Sequence, residues 1–231
     1  MRENGYYEYE WDNNYCYPNC FILKNKLNIK DIDLFEEAER QITAVKILEI
    51  KMHPIRGNLD FEHLLNIHKY MFKELYTWSG KTRSVNISKG SQFCNYMFIN
   101  NMGQEIFSKL QKENYLIGLS LEEIIVKLSY YLGELNAMHP FREGNGRAQR
   151  VLIEYLAQTA GYYIDFSEIS SQEMIDASVD SFVCNYIKME NIFKKIIEPI
   201  SEDEQKEFIN LISPTSGILV KTFNNWRVQN R

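Results

Sequence analysis

The chain has 231 residues, 45% of them hydrophobic, and its 26 basic and 31 acidic side chains give a net charge of −5. That apolar content supports a sizeable core and excludes a wholly disordered chain, and the acidic balance, with no basic tract or basic–aromatic stripe, excludes nucleic-acid binding. No apolar run approaches the ~20 residues of a membrane span, and the polar start Met1-Arg-Glu-Asn-Gly-Tyr-Tyr-Glu is unlike a secretory leader, so a cytoplasmic location is expected, with export as an effector left open.

Residues 1–30 read as an N-terminal arm. The first twenty are rich in Tyr and Asn, contain Trp11 and Pro18 and show no clean period, which suits an irregular segment packing through its aromatic rings. Cys16 and Cys20 lie four apart without a second ligand pair at zinc spacing, and Cys94 and Cys184 are isolated. The four cysteines therefore read as thiols of a reducing compartment. A first helix should begin at Asp31 or Asp33, either a good N-cap, and run to about Met52. Leu34, Ala38, Ile42, Val45 and Leu48 follow a 3–4 spacing and are expected to form its buried stripe. Pro54 and Gly57 break the chain. A second helix, from about Asp60 to Leu75, carries Phe61, Leu64, Leu65, His68, Met71, Phe72 and Leu75 on one face. On that apolar face His68 reads as a hydrogen-bonded core histidine. His63 and His68, five apart, also miss the spacing that puts two metal ligands on one helix face.

Residues 83–99 form the one stretch with strand character. Val85-Asn-Ile87 alternates, Tyr96-Met97-Phe98-Ile99 is β-prone, and Ser88-Lys89-Gly90-Ser91-Gln92 between them has turn chemistry. A short helix over 100–112 carries Ile106, Phe107 and Leu110. Ser120-Leu-Glu-Glu123 is a capping box opening an apolar helix through Ile124, Ile125, Leu128, Leu132 and Leu135. That helix delivers the chain to His139-Pro140-Phe141-Arg142-Glu143-Gly144-Asn145-Gly146-Arg147. These nine residues supply an imidazole, an apolar anchor, a carboxylate, a Gly-Asn-Gly turn and an arginine. The run from Arg147 to Leu156 has the spacing of a buried helix, so residues 144–146 form its N-terminal lip. Unpaired backbone N–H groups and the helix dipole favour an anion there. Arg147 and Arg150, three apart, share one face of the first turn. Base, carboxylate, anion cradle and two guanidinium groups describe phosphate chemistry. Beyond Gly161, Ser170-Ser-Gln-Glu173 caps another helix, and 188–197 continues the helical pattern to Pro199. Ser201-Glu-Asp-Glu204 opens an acidic amphipathic helix with Phe208, Leu211 and Ile212, and Pro214-Thr-Ser-Gly217 makes a turn before Phe223 and Trp226. Residues 199–231 thus read as a C-terminal helical tail that serves packing or dimer formation.

Residues 139–150 meet every fixed position of the pattern H-x-F-x-[D/E]-G-N-G-R-x-x-R, and here the chain resembles the Fic family. The run Tyr17-Pro18-Asn19-Cys20-Phe21-Ile22-Leu23-Lys24-Asn25-Lys26-Leu27 and the stretch 67–99 are similar to the same family. The resemblance covers about 17–198 and implies an all-α fold, a single Fic-type core over 31–198 with one small β-hairpin. It implies that Ile87, Ser88, Lys89, Gly90, Ser91, Gln92 and Phe93 form a flap over the site that pairs with an extended target segment by β-augmentation. The implied reaction moves AMP from ATP to a Tyr, Thr or Ser hydroxyl of a target protein, the chain itself included. His139 would be the base, with an imidazole suited to proton transfer near neutral pH. Glu143 would hold Mg²⁺. Gly144, Asn145 and Gly146 would cradle phosphates, Arg147 and Arg150 would take the outer ones, and Phe141 would anchor the loop.

Two alternatives stay open: a Doc-like kinase, in which a Lys stands where this chain has Gly146, and a nucleotide-binding interaction module without turnover. Many members of the family carry an inhibitory helix with the pattern [S/T]-x-x-x-E-[G/N], whose Glu pairs with the second signature arginine, here Arg150. No Ser or Thr of this chain starts that pattern; Glu113-Asn114 and Glu190-Asn191 have Lys109 and Tyr186 in its place. Inhibition by a separate small antitoxin, or none, is therefore expected. A toxin or effector role, the target and homo-oligomer formation stay open.

Overall fold

The computed structural model describes residues 14–213 and 217–230. Most of the expected aromatic arm, 1–13, and residues 214–216 of the expected turn lie outside that range. Helix α1 (Ile32–Met52) starts at Asp31, whose carboxylate accepts the Leu34 N–H at 2.9 Å. The face that α1 buries is not the expected one. Phe35, Thr43 and Ile50 point inward, while Leu34, Val45 and Leu48 are 58%, 54% and 60% exposed. Both stripes have helical spacing. The inward one carries Glu39, Thr43 and Glu49, which meet Arg147, Tyr76 and Tyr70, so partnered polar groups decide the helix's rotation where apolar counting alone pointed elsewhere.

Helix α2 (Phe61–Phe72), capped by Asp60, buries Leu64, Ile67, His68, Met71 and Phe72. It ends three residues short of the expected boundary, with Leu75 buried in the following turn. The hairpin is displaced from the expected register. Strands β1 (Ser88–Lys89) and β2 (Ser91–Gln92) pair antiparallel within the stretch read as a turn, and Gly90 at φ +71° makes the reversal. Tyr96–Phe98, expected as strand, is a 3-10 turn. The Asn95 side chain accepts the Met97 N–H at 3.0 Å and Asn86 accepts the Tyr96 N–H at 3.1 Å. Local asparagine-to-backbone bonds thus outweigh the β-propensity of three large side chains.

Helices α3 (Ile99–Lys112), α4 (Leu121–Met138) and α5 (Asn145–Ala160) follow, the second opened by the Ser120–Glu123 capping box and the third closed by Gly161 at φ +98°. Helices α4 and α5 pack on each other at the centre, with α2, α3, α7 and α8 around them. Strand β3 (Tyr162–Ile164) pairs antiparallel with β4 (Ile197–Pro199), a second short ladder outside the stretch with strand character. Between them lie α6 (Ser171–Ser181), with its Ser170–Glu173 capping box, and α7 (Ile187–Ile196). The tail forms α8 (Glu202–Ile212) and α9 (Ile218–Gln229). Phe208, Ile209, Ile212, Leu219 and Phe223 join the same apolar cluster as α4 and α5, and Gln205 donates to Thr159 O at 2.7 Å. Among the described residues no helix is long and apolar enough to cross a membrane, and no group of three His, Cys, Asp or Glu side chains could hold a metal ion.

Candidate active site

The site begins where α4 ends. His139 takes the left-handed conformation (φ 43°, ψ 63°), uncommon for a residue with a Cβ. Arg83, only 2% exposed, holds it there: Nε donates to His139 O at 2.9 Å, and the terminal nitrogens donate to the carbonyls of Val85 and Cys94. The Arg83 N–H also reaches Pro140 O at 2.8 Å. One buried guanidinium therefore ties the helix end, the loop and the flap root together. Burial pushes its pKa down to about 10, which leaves it charged at neutral pH.

The His139 ring is buried and stacks on Phe93 at 3.7 Å. Nδ1 lies 3.1 Å from Asn136 O. A carbonyl only accepts, so Nδ1 carries the proton and Nε2 the lone pair. Burial, with the nearby charges of Arg83 and Lys89, pushes the imidazole pKa down to about 3 against the pull of the Asn136 carbonyl. The ring is a neutral proton acceptor at physiological pH.

The loop that follows is closed on itself. Asn145, 1% exposed, donates to Phe141 O and accepts from Phe141 N, both at 2.8 Å. Its side-chain amide thus clamps the loop, a structural role beside the phosphate contact expected of it. Phe141 is fully buried and stacks on His68 at 3.7 Å. His68 accepts the Gly80 N–H at Nδ1 (2.9 Å), so its Nε2–H donates to Glu143 O (3.0 Å), the bonded core histidine expected on α2. Gly144 sits at φ +79°, and a Cβ there would lie 2.2 Å from the Phe72 ring. At Gly146 a Cβ would lie 3.3 Å from Arg150 Nη1. Helix α5 has no side-chain cap, so its first turn forms a lip whose N–H groups suit an anion.

Glu143 Oε1 accepts the Gly144 N–H at 2.8 Å. Burial, then the charge of Glu39, raises its pKa, opposed by Arg147, the Gly144 N–H and Arg142. With the side chain 26% exposed, the carboxylate can meet a hard cation, which would relieve that repulsion. A single carboxylate suits Mg²⁺, which takes one or two protein carboxylates and completes its shell with phosphates and water. The two arginines part ways. Arg147 is engaged by Glu39 and Thr43 on α1. Arg150 makes no hydrogen bond or ion pair with a described residue; burial, then Arg147, lowers its pKa. Glu113 is bound by Lys127 at 2.8 Å and the Tyr131 hydroxyl at 2.9 Å, not by Arg150.

The flap stands on two buried feet, Ile87 and Phe93, with Lys89, Gly90, Ser91 and Gln92 exposed between them. Phe93 links it directly to the His139 ring. Sequence reading missed Arg83, Glu39, Thr43 and Tyr76. A signal existed for part of this set: Phe35, Glu39 and Thr43 recur at four-residue intervals, a helix face with polar groups inside it.

Comparison with known proteins identifies the family and the fold. The Fic/DOC family model matches residues 58–157. Protein adenylyltransferase VbhT of Bartonella schoenbuchensis is 39% identical over 190 residues, covering 81% of this chain and 40% of that protein. The chain is thus similar to less than half of VbhT. Probable protein adenylyltransferase Fic of Escherichia coli is 32% identical, covering 82% of this chain and 94% of its own length. Among solved structures, a BepC protein of Bartonella tribocorum with bound AMPPNP superposes with a TM-score of 0.76 at 29% identity, covering 81% of this chain and 98% of that one. The N-terminal Fic domain of a Bartonella quintana effector with bound ADP gives 0.77 at 31% identity, covering 83% and 97%.

Proposed function

The chain belongs to the Fic/DOC family, and from that premise we propose that it is a protein adenylyltransferase, moving AMP from ATP to a hydroxyl of a target protein. The observation that carries this reading is the neutral His139, its Nδ1–H tied to Asn136 O, standing between the flap and the α5 lip. A target Tyr, Thr or Ser hydroxyl attacks the α-phosphorus. The new O–P bond forms as the bond to the bridging oxygen breaks, and pyrophosphate leaves. The hydroxyl proton passes to Nε2 of His139. A pKa near 3 makes a weak base, but a bound polyphosphate brings negative charge beside the ring and raises its basicity. The lip N–H groups hold phosphate oxygens as preorganised dipoles, and Arg150 takes the outer phosphates. Glu143 would hold Mg²⁺, whose charge offsets the build-up on the phosphate oxygens. The flap backbone aligns an extended segment of the target.

Gly146 favours AMP transfer over the Doc-like kinase reading, because no Lys side chain occupies the lip. ATP as substrate places the chemistry in a cytosol, that of the producing cell or of a cell the protein enters. With Arg150 bound to no described carboxylate, control falls to a separate inhibitory protein or is absent. Incubating the purified chain and a lysate with α-labelled and γ-labelled ATP tests the reading. Label on protein from the α position alone supports it, label from the γ position alone indicates a kinase, and neither indicates a binding module.

A further inference from the structure

Arg147 is surrounded by protein partners. Nη2 lies 2.5 Å from Glu39 Oε1 and 3.5 Å from Glu143 Oε1, and Nη1 donates to Thr43 Oγ1 at 3.0 Å. The guanidinium lies 4.8 Å from the centroid of the Phe72 ring. Glu39 is fixed at its other oxygen by the hydroxyl of Tyr76, a fully buried side chain. The Thr43 hydroxyl donates to Glu39 O at 2.8 Å, which turns its lone pair toward Arg147. The cluster is enclosed, with Arg147 23% and Glu39 13% exposed. Both terminal nitrogens of Arg147 are thus held by α1, which fixes the guanidinium in place and leaves fewer of its five N–H donors for a phosphate.

We propose that Glu39 is a positioning residue for the transfer reaction: through Arg147 it braces Glu143 and the α5 lip against α1, and Arg147 is that brace, not a ligand of the outer phosphates. The inference rests on the adenylyltransferase reading of the site. Its physical basis is competition for one guanidinium between two carboxylates. While Glu39 holds Arg147 close, Glu143 remains 3.5 Å away and faces the site. Without the Glu39 charge, Arg147 closes on Glu143 and draws that carboxylate out of place.

Glu39→Gln is the test, because it keeps the size of the side chain and an acceptor for Tyr76 while removing the charge. The expected result is a fall in kcat of about 10- to 100-fold, the usual cost of losing a group that orients a catalytic one. The KM for ATP and the ATP affinity measured without metal stay within about twofold. Glu39→Gln and Arg147→Gln should be non-additive, since each removes the same brace. A rise in activity or in ATP affinity would overturn the proposal, showing that Glu39 withholds Arg147 from nucleotide. A lower melting temperature with unchanged kcat would overturn it too, showing a merely structural contact. If the wild-type chain transfers no AMP, the functional reading fails first, and ATP binding with and without Mg²⁺ then judges the brace. Loss of the Mg²⁺-dependent gain in Glu39→Gln supports it; a gain equal to that of the wild type overturns it.

Discussion

The loop at 139–147 and the flap at 87–93 face each other across His139, and they are built in opposite ways. The loop is held along its length: the His139 ring by the Asn136 carbonyl, the Phe141 ring by His68 and its backbone by Asn145, and the Glu143 carboxylate by the Gly144 N–H. Between its buried feet the flap exposes Lys89, Ser91 and Gln92, and its short ladder pairs Ser88 with Gln92 and Lys89 with Ser91. Proton and phosphate chemistry depends on fixed positions, because a small displacement of a reacting group costs orders of magnitude in rate. Recognition by backbone pairing needs an accessible edge and little side-chain specificity. On the proposed reading, a rigid half made for chemistry meets an open half made for docking, with Phe93 and Arg83 as the connections.

The largest expected effect comes from the rigid half. His139→Ala should lower AMP transfer by about 10²- to 10⁴-fold, the range of a lost general base, while ATP affinity by calorimetry changes less than twofold. A full-activity variant would remove the imidazole from the mechanism. The same glycine substitution then separates the halves. Gly144→Ala places a methyl 2.2 Å from Phe72 at φ +79°, whereas Gly90→Ala at φ +71° meets nothing within 4 Å. Denaturant unfolding should show a loss of about 2–5 kcal/mol for Gly144→Ala, overpacking plus left-handed strain, and about 1–2 kcal/mol at most for Gly90→Ala. Equal losses would mean that the loop is no more tightly built than the flap.

Next in size is the docking edge. Ser91→Pro removes a ladder donor and should raise the KM for the target protein about tenfold, leaving the KM for ATP unchanged. Parallel losses in both would make the flap structural. Acid stability probes the buried histidines of the rigid half together. His68 and His139 are both pushed down to about 3, by burial first. The unfolded chain, with ordinary histidines near 6.5, binds protons that the folded chain refuses. Stability is therefore complete above pH 6.5 and falls as pH drops toward 3, by about 1.4 kcal/mol per pH unit for each such histidine. Melting curves from pH 7.5 to 4.5 check this, and a flat profile would contradict the buried neutral state.

Much of this was legible in the sequence. Three serine capping boxes and Gly161 marked helix ends where they fall, because a cap is a local hydrogen bond written in adjacent residues. The stretch 139–150 stood out because its imidazole, carboxylate, Gly-Asn-Gly turn and arginines are adjacent in the chain, and its loop is local, with Asn145 bonding Phe141 four residues back. What escaped depends on contacts across the chain. The rotation of α1 is decided by Arg147, 108 residues beyond Glu39, and apolar counting chose Leu34, Val45 and Leu48 instead. Arg83 reached His139 O across 56 residues, and no spacing rule announces that. The 3-10 turn at Tyr96–Phe98 turned on the side chains of Asn86 and Asn95, a local signal that the large β-prone residues hid.

On the proposed reading, His139 and the α5 lip act on the α-phosphorus of ATP. Mass spectrometry of a target protein after incubation with the purified chain, ATP and Mg²⁺ tests it directly. The expected products are AMP esterified to a Tyr, Thr or Ser hydroxyl and pyrophosphate in equal amount, both formed at least about 100-fold more slowly with His139→Ala. A phosphoryl group on the target with ADP as the co-product would contradict it.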